Sequence, residues 1–137
     1  MASDEIAAAI QDYLTTSWTS CPLAYENDGY EPPDNTPWAY VEFMGTAWVQ
    51  DTIGAGPIRD NRFTEEGLVM LHVFVPKGTG SNLIRQYARQ LADLFRGAEL
   101  LAGTLWFKNA SIGAGNPGSE DGKWWRMTAT IEFERNL

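Results

Sequence analysis

Residues 124–134, Trp-Trp-Arg-Met-Thr-Ala-Thr-Ile-Glu-Phe-Glu, alternate with a period of two. Trp125, Met127, Ala129, Ile131 and Phe133 fall on one side; Trp124, Arg126, Thr128, Thr130, Glu132 and Glu134 fall on the other. Strand side chains project to alternate faces, so this run predicts a long strand with one face in a core and one turned outward. A second run, Gly67 to Pro76, is apolar on both sides: Val69, Leu71, Val73 and Val75 on one, Leu68, Met70 and Phe74 with His72 on the other. That pattern predicts a central strand covered on both faces. A sheet is therefore unavoidable, and the rest of the chain must supply its cover.

Two segments have the helical rhythm instead. Ile6, Ala9, Ile10, Tyr13 and Leu14 recur on one helical face after Ser3, a candidate N-cap, with Asp4 and Glu5 in the first turn. This helix is expected to fade before Thr15–Pro22. Ile84, Tyr87, Ala88, Leu91, Leu94 and Phe95 do the same after Ser81, and Gly97 stands where a left-handed cap ends a helix. A short strand is expected at Leu23–Tyr25. Trp38–Phe43 alternates, with Ala39, Val41 and Phe43 inward, and the strand is expected to continue through Met44–Gln50 with Gly45 allowing a bulge. Leu105 and Phe107 alternate against Trp106 and Lys108. The predicted order is α-β-β-β-α-β-β. It makes an α+β domain spanning residues 1–137, with a mainly antiparallel sheet built from two long hairpins and two helices packed on one face.

The chain has 137 residues, 44% of them hydrophobic, so it should fold around a core. Its net charge of −8 argues against direct binding to a phosphate backbone. Cys21 is the only cysteine, so neither an internal disulfide nor a Cys-x-x-Cys metal site is possible. A reducing cytosol is the simplest birthplace for such a chain. The opening residues lack the basic and apolar regions of a secretory signal, and no apolar run is long enough to span a membrane. Asn109 heads a glycosylation sequon that carries no weight without secretion.

Three motifs invite a chemical reading, and each has a plainer one. Val75–Asn82, Val-Pro-Lys-Gly-Thr-Gly-Ser-Asn, resembles a phosphate loop, but Lys77 precedes its glycines and position 83 is Leu rather than a third Gly. A tight turn feeding a helix is the better account. The tetrapeptide Ile-Gly-Ala-Gly occurs at Ile53 and again at Ile112, each time between two predicted strands. Both read as hairpin tips rather than as phosphate cradles or a duplicated unit. His72 is the only histidine, and no nucleophile or zinc motif accompanies it, so a position in the sheet is the expectation. Carboxylates gather at Asp28, Glu31 and Asp34, at Asp51 and Asp60, and at Glu120 and Asp121, without EF-hand spacing. No catalytic residue, cofactor or metal site is expected.

The outward side is different. Trp38, Tyr40, Trp106 and Trp124, with Trp48 as a further candidate, would give the sheet an exposed aromatic face. A monomer seldom exposes so much aromatic surface, and such surfaces mark protein contacts. The plainer reading is that a loop or second layer of the same chain covers them.

Three segments then carry a resemblance: Leu23–Phe43, with Glu-Asn, then Pro-Pro, then an aromatic strand; Gly67–Phe95, with a Gly-led strand, a Pro-x-Gly-Thr-Gly turn and a helix; and Gly122–Glu134, the aromatic closing strand. In this order they resemble the tail terminator-like proteins of long-tailed bacteriophages across nearly the whole chain. The resemblance implies a non-enzymatic protein that forms a ring, typically a hexamer, on the head-proximal end of the tail tube. The ring would stop tube growth and meet the neck of the filled head. The implied partners are other copies, the tail tube protein and a head-completion protein; the implied place is the virion tail, assembled in the host bacterial cytoplasm. A head–tail joining or neck protein of the same fold is the alternative, and a small-ligand-binding domain a further one. Trp38, Tyr40, Trp106 and Trp124 would lie at subunit contacts. Arg59 and Arg62 on the first tip, and Glu120 and Asp121 on the second, would meet a neighbour or the tube.

Overall fold

The computed structural model describes residues 3–32, 35–45, 47–113, 116–117 and 123–137. Its elements are α1 (Asp4–Ser17), β1 (Leu23–Tyr25), β2 (Trp38–Met44), β3 (Trp48–Gln50), β4 (Phe63–Pro76), α2 (Asn82–Phe95), β5 (Glu99–Leu100), β6 (Leu105–Ile112), β7 (Asn116–Pro117) and β8 (Trp124–Asn136). The fold is α+β. One eight-stranded sheet has the order β1-β2-β4-β8-β6-β5, with β3 along β4 and β7 along β8. All described pairings are antiparallel except β1 with β2.

The two strongest sequence signals are the two central strands. β4 and β8 pair without a break from Thr64↔Asn136 to Pro76↔Trp124. Their inward positions, Val69, Leu71, Val73 and Val75 against Met127, Ala129, Ile131 and Phe133, are buried. Ile6, Ile10 and Leu14 of α1 and Ile84, Ala88, Leu91 and Phe95 of α2 belong to the same buried cluster. Aromatic edges tie the helices to the sheet: Phe95 packs on Tyr13 at 5.4 Å and on Phe107 at 4.8 Å. The Tyr13 hydroxyl donates to the Leu94 carbonyl at 2.5 Å, joining α1 to α2.

Several local features depart from the sequence reading. α1 runs on to Ser17 instead of fading at Leu14. Ser3 and Ser81 occupy the N-cap positions, yet neither side chain makes a capping hydrogen bond. The Ser3 amide instead donates to the buried Glu65 carboxylate at 2.7 Å, so a residue of β4 serves the start of α1. β2 stops at Met44 and the ladder resumes at Trp48. Met44 faces Leu68 and Trp48 faces Glu65, so three residues stand opposite two. This one-residue offset lies where Gly45 permits a bulge. β6 carries a second offset between Phe107 and Ala110. Gly97, at φ +72°, ends α2 as its type predicts.

Candidate interaction surface

The continuous register of β2, β4 and β8 lays out the outward side in rows. The first row is Trp38, Phe74 and Arg126; the next is Tyr40, His72 and Thr128. Glu42, Met70 and Thr130 follow, then Met44, Leu68 and Glu132. The last holds Glu66, Glu134 and, on β6, Trp106. The face thus grades from aromatic to acidic.

At the aromatic end, Trp38 stacks on Phe74 at 4.3 Å and meets Trp124 edge-on at 6.0 Å. Tyr30, from the loop after β1, lies against Trp38 at 5.8 Å. The chain's own loop therefore covers part of this cluster, and Trp38, Tyr40, Trp106 and Trp124 are all partly buried rather than freely exposed. The Trp38 indole nitrogen and the Tyr30 hydroxyl are buried without a hydrogen-bond partner among the described residues. Burial, reinforced by the carboxylates of Glu26, Glu42 and Asp28, pushes the Tyr40 phenol above its ordinary pKa.

The five aromatic residues do not form one patch. Trp106 stands eight residues along the strands from the Trp38 row, about 26 Å at ~3.3 Å per residue. Trp48 is a correction of another kind. It faces Glu65, which has the parity of Val69 and lies on the core side of the sheet, so Trp48 is not on the outward face. Trp48 is nevertheless 65% exposed.

His72 sits in the middle of the sheet, as its sequence context suggests. Its Nδ1 is 2.7 Å from Thr128 Oγ1 and its Nε2 is 3.1 Å from Glu42 Oε1. The hydroxyl and carboxylate fix the ring between two neighbouring strands. The cavities described below are not lined by His72, and among the described residues no group of His, Cys, Asp and Glu is arranged to hold a metal ion. The Val75–Asn82 segment is a turn: the Thr79 amide and hydroxyl both donate to the Pro76 carbonyl, at 3.2 and 2.6 Å.

The first Ile-Gly-Ala-Gly stretch lies between β3 and β4, at the far end of an arm that begins where β2 breaks. Asn61 organises its turn, its Oδ1 accepting from the Ala55 amide at 2.9 Å, and the Thr64 hydroxyl bonds to Asp51. Arg59 and Arg62 are exposed there and make no ion pair among the described residues. The arm also exposes Ile53 at 91% and Ile58 at 70%. Among the described residues, five of the seven exposed large hydrophobic ones, Met44, Trp48, Val49, Ile53 and Ile58, fall between residues 44 and 58. Solvent does not favour such a concentration, and a protein surface would. Glu120, Asp121 and Asp34 lie outside the described residues.

The side of α2 carries a basic pair that strand alternation and motif spacing do not single out. Arg85 and Arg89 stand one helical turn apart on its exposed face, beside β6. The signal was the i, i+4 spacing of two arginines in an acidic chain, but nothing in the sequence says that a strand edge lies next to them.

Comparison with known proteins resolves what this scaffold belongs to. A family model described as phage tail terminator protein matches residues 5–133. The chain belongs to that family. Its role is structural, in the tail of a virion. A solved structure known only by a sequence identifier is 24% identical, covering 100% of this chain and 97% of the other with a TM-score of 0.64; it shares the fold. No curated protein matches significantly. Among the described residues, no helix is long and apolar enough to cross a membrane.

Proposed function

We propose that this tail terminator forms a ring, a hexamer by its family resemblance, on the head-proximal end of the tail tube. The ring stops addition of tube subunits and offers its far surface to the neck of the head. The observation that carries this reading is the family match over residues 5–133. The arm supports the ring itself: Trp48, Ile53 and Ile58 are exposed in a lone subunit and would be buried against the next one or the tube. Arg59 and Arg62 travel with the arm and would meet carboxylates there, although exposed pairs of this kind add little affinity.

Deleting the gene tests the assignment. Loss of a terminator gives tails of uncontrolled, excessive length. Tails of normal length beside unattached filled heads would instead assign the chain to head–tail joining.

A further inference from the structure

The two edges of the sheet are unequal. β1 closes one edge with its own loop: the outward Tyr25 amide donates to Asp28 Oδ2 at 2.7 Å. The other edge is open. β5 pairs only with Leu105 and Trp106, so beyond Trp106 β6 has no strand on its outer side among the described residues. An unpaired edge is a template for association.

α2 runs beside that edge and leaves a groove. One cavity of about 440 Å³ lies between Asn82, Arg85, Arg89 and Ile112. Arg89 also borders a second, of about 360 Å³, between Ala92 and Phe95 of α2 and Lys108 and Ala110 of β6. Arg96 is paired with Asp93 at 2.8 Å and Lys108 with Glu134 at 2.6 Å. Arg85 and Arg89 have no such partner among the described residues. Like charges at i, i+4 repel. Two copies meeting groove to groove would bring four such arginines together, so a symmetric pairing of this edge is disfavoured and the occupant must be acidic.

The chain carries that counterpart across β6, on the outward face of the sheet. Glu66 is directly opposite Glu134 in the ladder, an unfavourable like-charge pair, and Glu132 stands one row away. Lys108 neutralises Glu134, and the Asn109 amide donates to Glu132 at 3.2 Å. Glu66 is exposed and has no ion pair among the described residues. Glu66 and Glu132 border a concavity of about 300 Å³ that Ala47, Leu68 and Lys108 also line; Lys108, held by Glu134, stands between this concavity and the groove and borders both.

The geometry points to a head-to-tail contact between copies, in which the Arg85/Arg89 groove of one subunit docks on the Glu66/Glu132 concavity of the next. This rests on the ring reading and names its subunit contact. Each copy offers one surface of each sign, and with each engaging a different neighbour the contact is heterologous and can close into a ring.

Two variants test it: Arg85→Glu with Arg89→Glu, and Glu66→Arg with Glu132→Arg. Mass in solution and electron images are taken for each alone and for their equimolar mixture, with circular dichroism melts to check folding. Wild type is expected to assemble, each variant alone to stay monomeric, and the mixture to assemble again with the two alternating. Assembly of either variant alone at wild-type concentrations overturns the contact. So does a mixture of folded variants that stays monomeric. An arginine variant that self-assembles but no longer binds tail tubes assigns the groove to the tube subunit and overturns it too. Wild type that stays monomeric with and without tubes overturns the ring reading itself, a result distinct from the others.

Discussion

Replacing Trp48, Ile53 and Ile58 with serine should separate assembly from folding. Burying a large apolar side chain completely is worth about 1.5–3 kcal/mol. These three are 65%, 91% and 70% exposed, so a partner covering them would bury the equivalent of rather more than two whole side chains. The gross gain is about 3–7 kcal/mol per contact. Ordering the arm and losing rigid-body freedom offset part of that, and about 3–4 kcal/mol is a sensible net loss for the triple variant. At 1.4 kcal/mol per decade, the association constant should fall about a hundredfold to a thousandfold. The subunit should scarcely notice, because exposed positions change stability by about 0.5 kcal/mol or less. Sedimentation velocity over a concentration series, paired with thermal melts, reads both quantities. A triple variant that assembles at wild-type concentrations would refute the reasoning. One that melts far below wild type would show that the arm belongs to the fold rather than to the interface.

Other outcomes follow from the packing. Phe95→Ala removes the ring that joins Tyr13 to Phe107, and should cost about 3–5 kcal/mol and lower Tm by roughly 10 °C or more; a melt within about 3 °C of wild type contradicts that packing. His72→Leu leaves the Glu42 carboxylate and the Thr128 hydroxyl without their shared partner, and should cost about 1–3 kcal/mol in denaturant unfolding; an unchanged midpoint would mean that these bonds contribute nothing. Burial pushes the Cys21 thiol above its ordinary pKa. The unfolded chain then loses this proton first as pH rises, so the thiol's contribution is intact below the ordinary thiol pKa and falls away above it. Iodoacetamide should modify Cys21 slowly in the native protein and quickly in urea, and Cys21→Ala should flatten the decline of stability at alkaline pH; equal rates in both states would show an accessible thiol.

Much of the fold was legible along the chain. The inward positions of β4 and β8, the apolar faces of both helices and the Gly97 terminus were all set by period and residue type. The family, too, was legible in segment order. β3 was legible only as a continuation of β2 past a bulge at Gly45; the two-residue β5 and β7 were not legible, because two residues carry no period. Nor was the missing cap on α1, because the group that bonds the Ser3 amide is Glu65, sixty-two residues away.

The candidate surfaces divide in the same manner. Which residues point out of the core was decided by alternation, a local property in which each side chain's direction follows from its neighbours in the chain. Which of them touch was decided by register. The bulges at Gly45 and after Phe107 shift whole rows, and strand order sets an arginine turn of α2 beside an unpaired edge. Trp38 and Trp124 meet although 86 positions separate them, while Trp106 is kept at the other end of the same face. Pairing between distant strands, with the offsets built into it, converts a list of outward residues into an aromatic end, an acidic concavity and a basic groove.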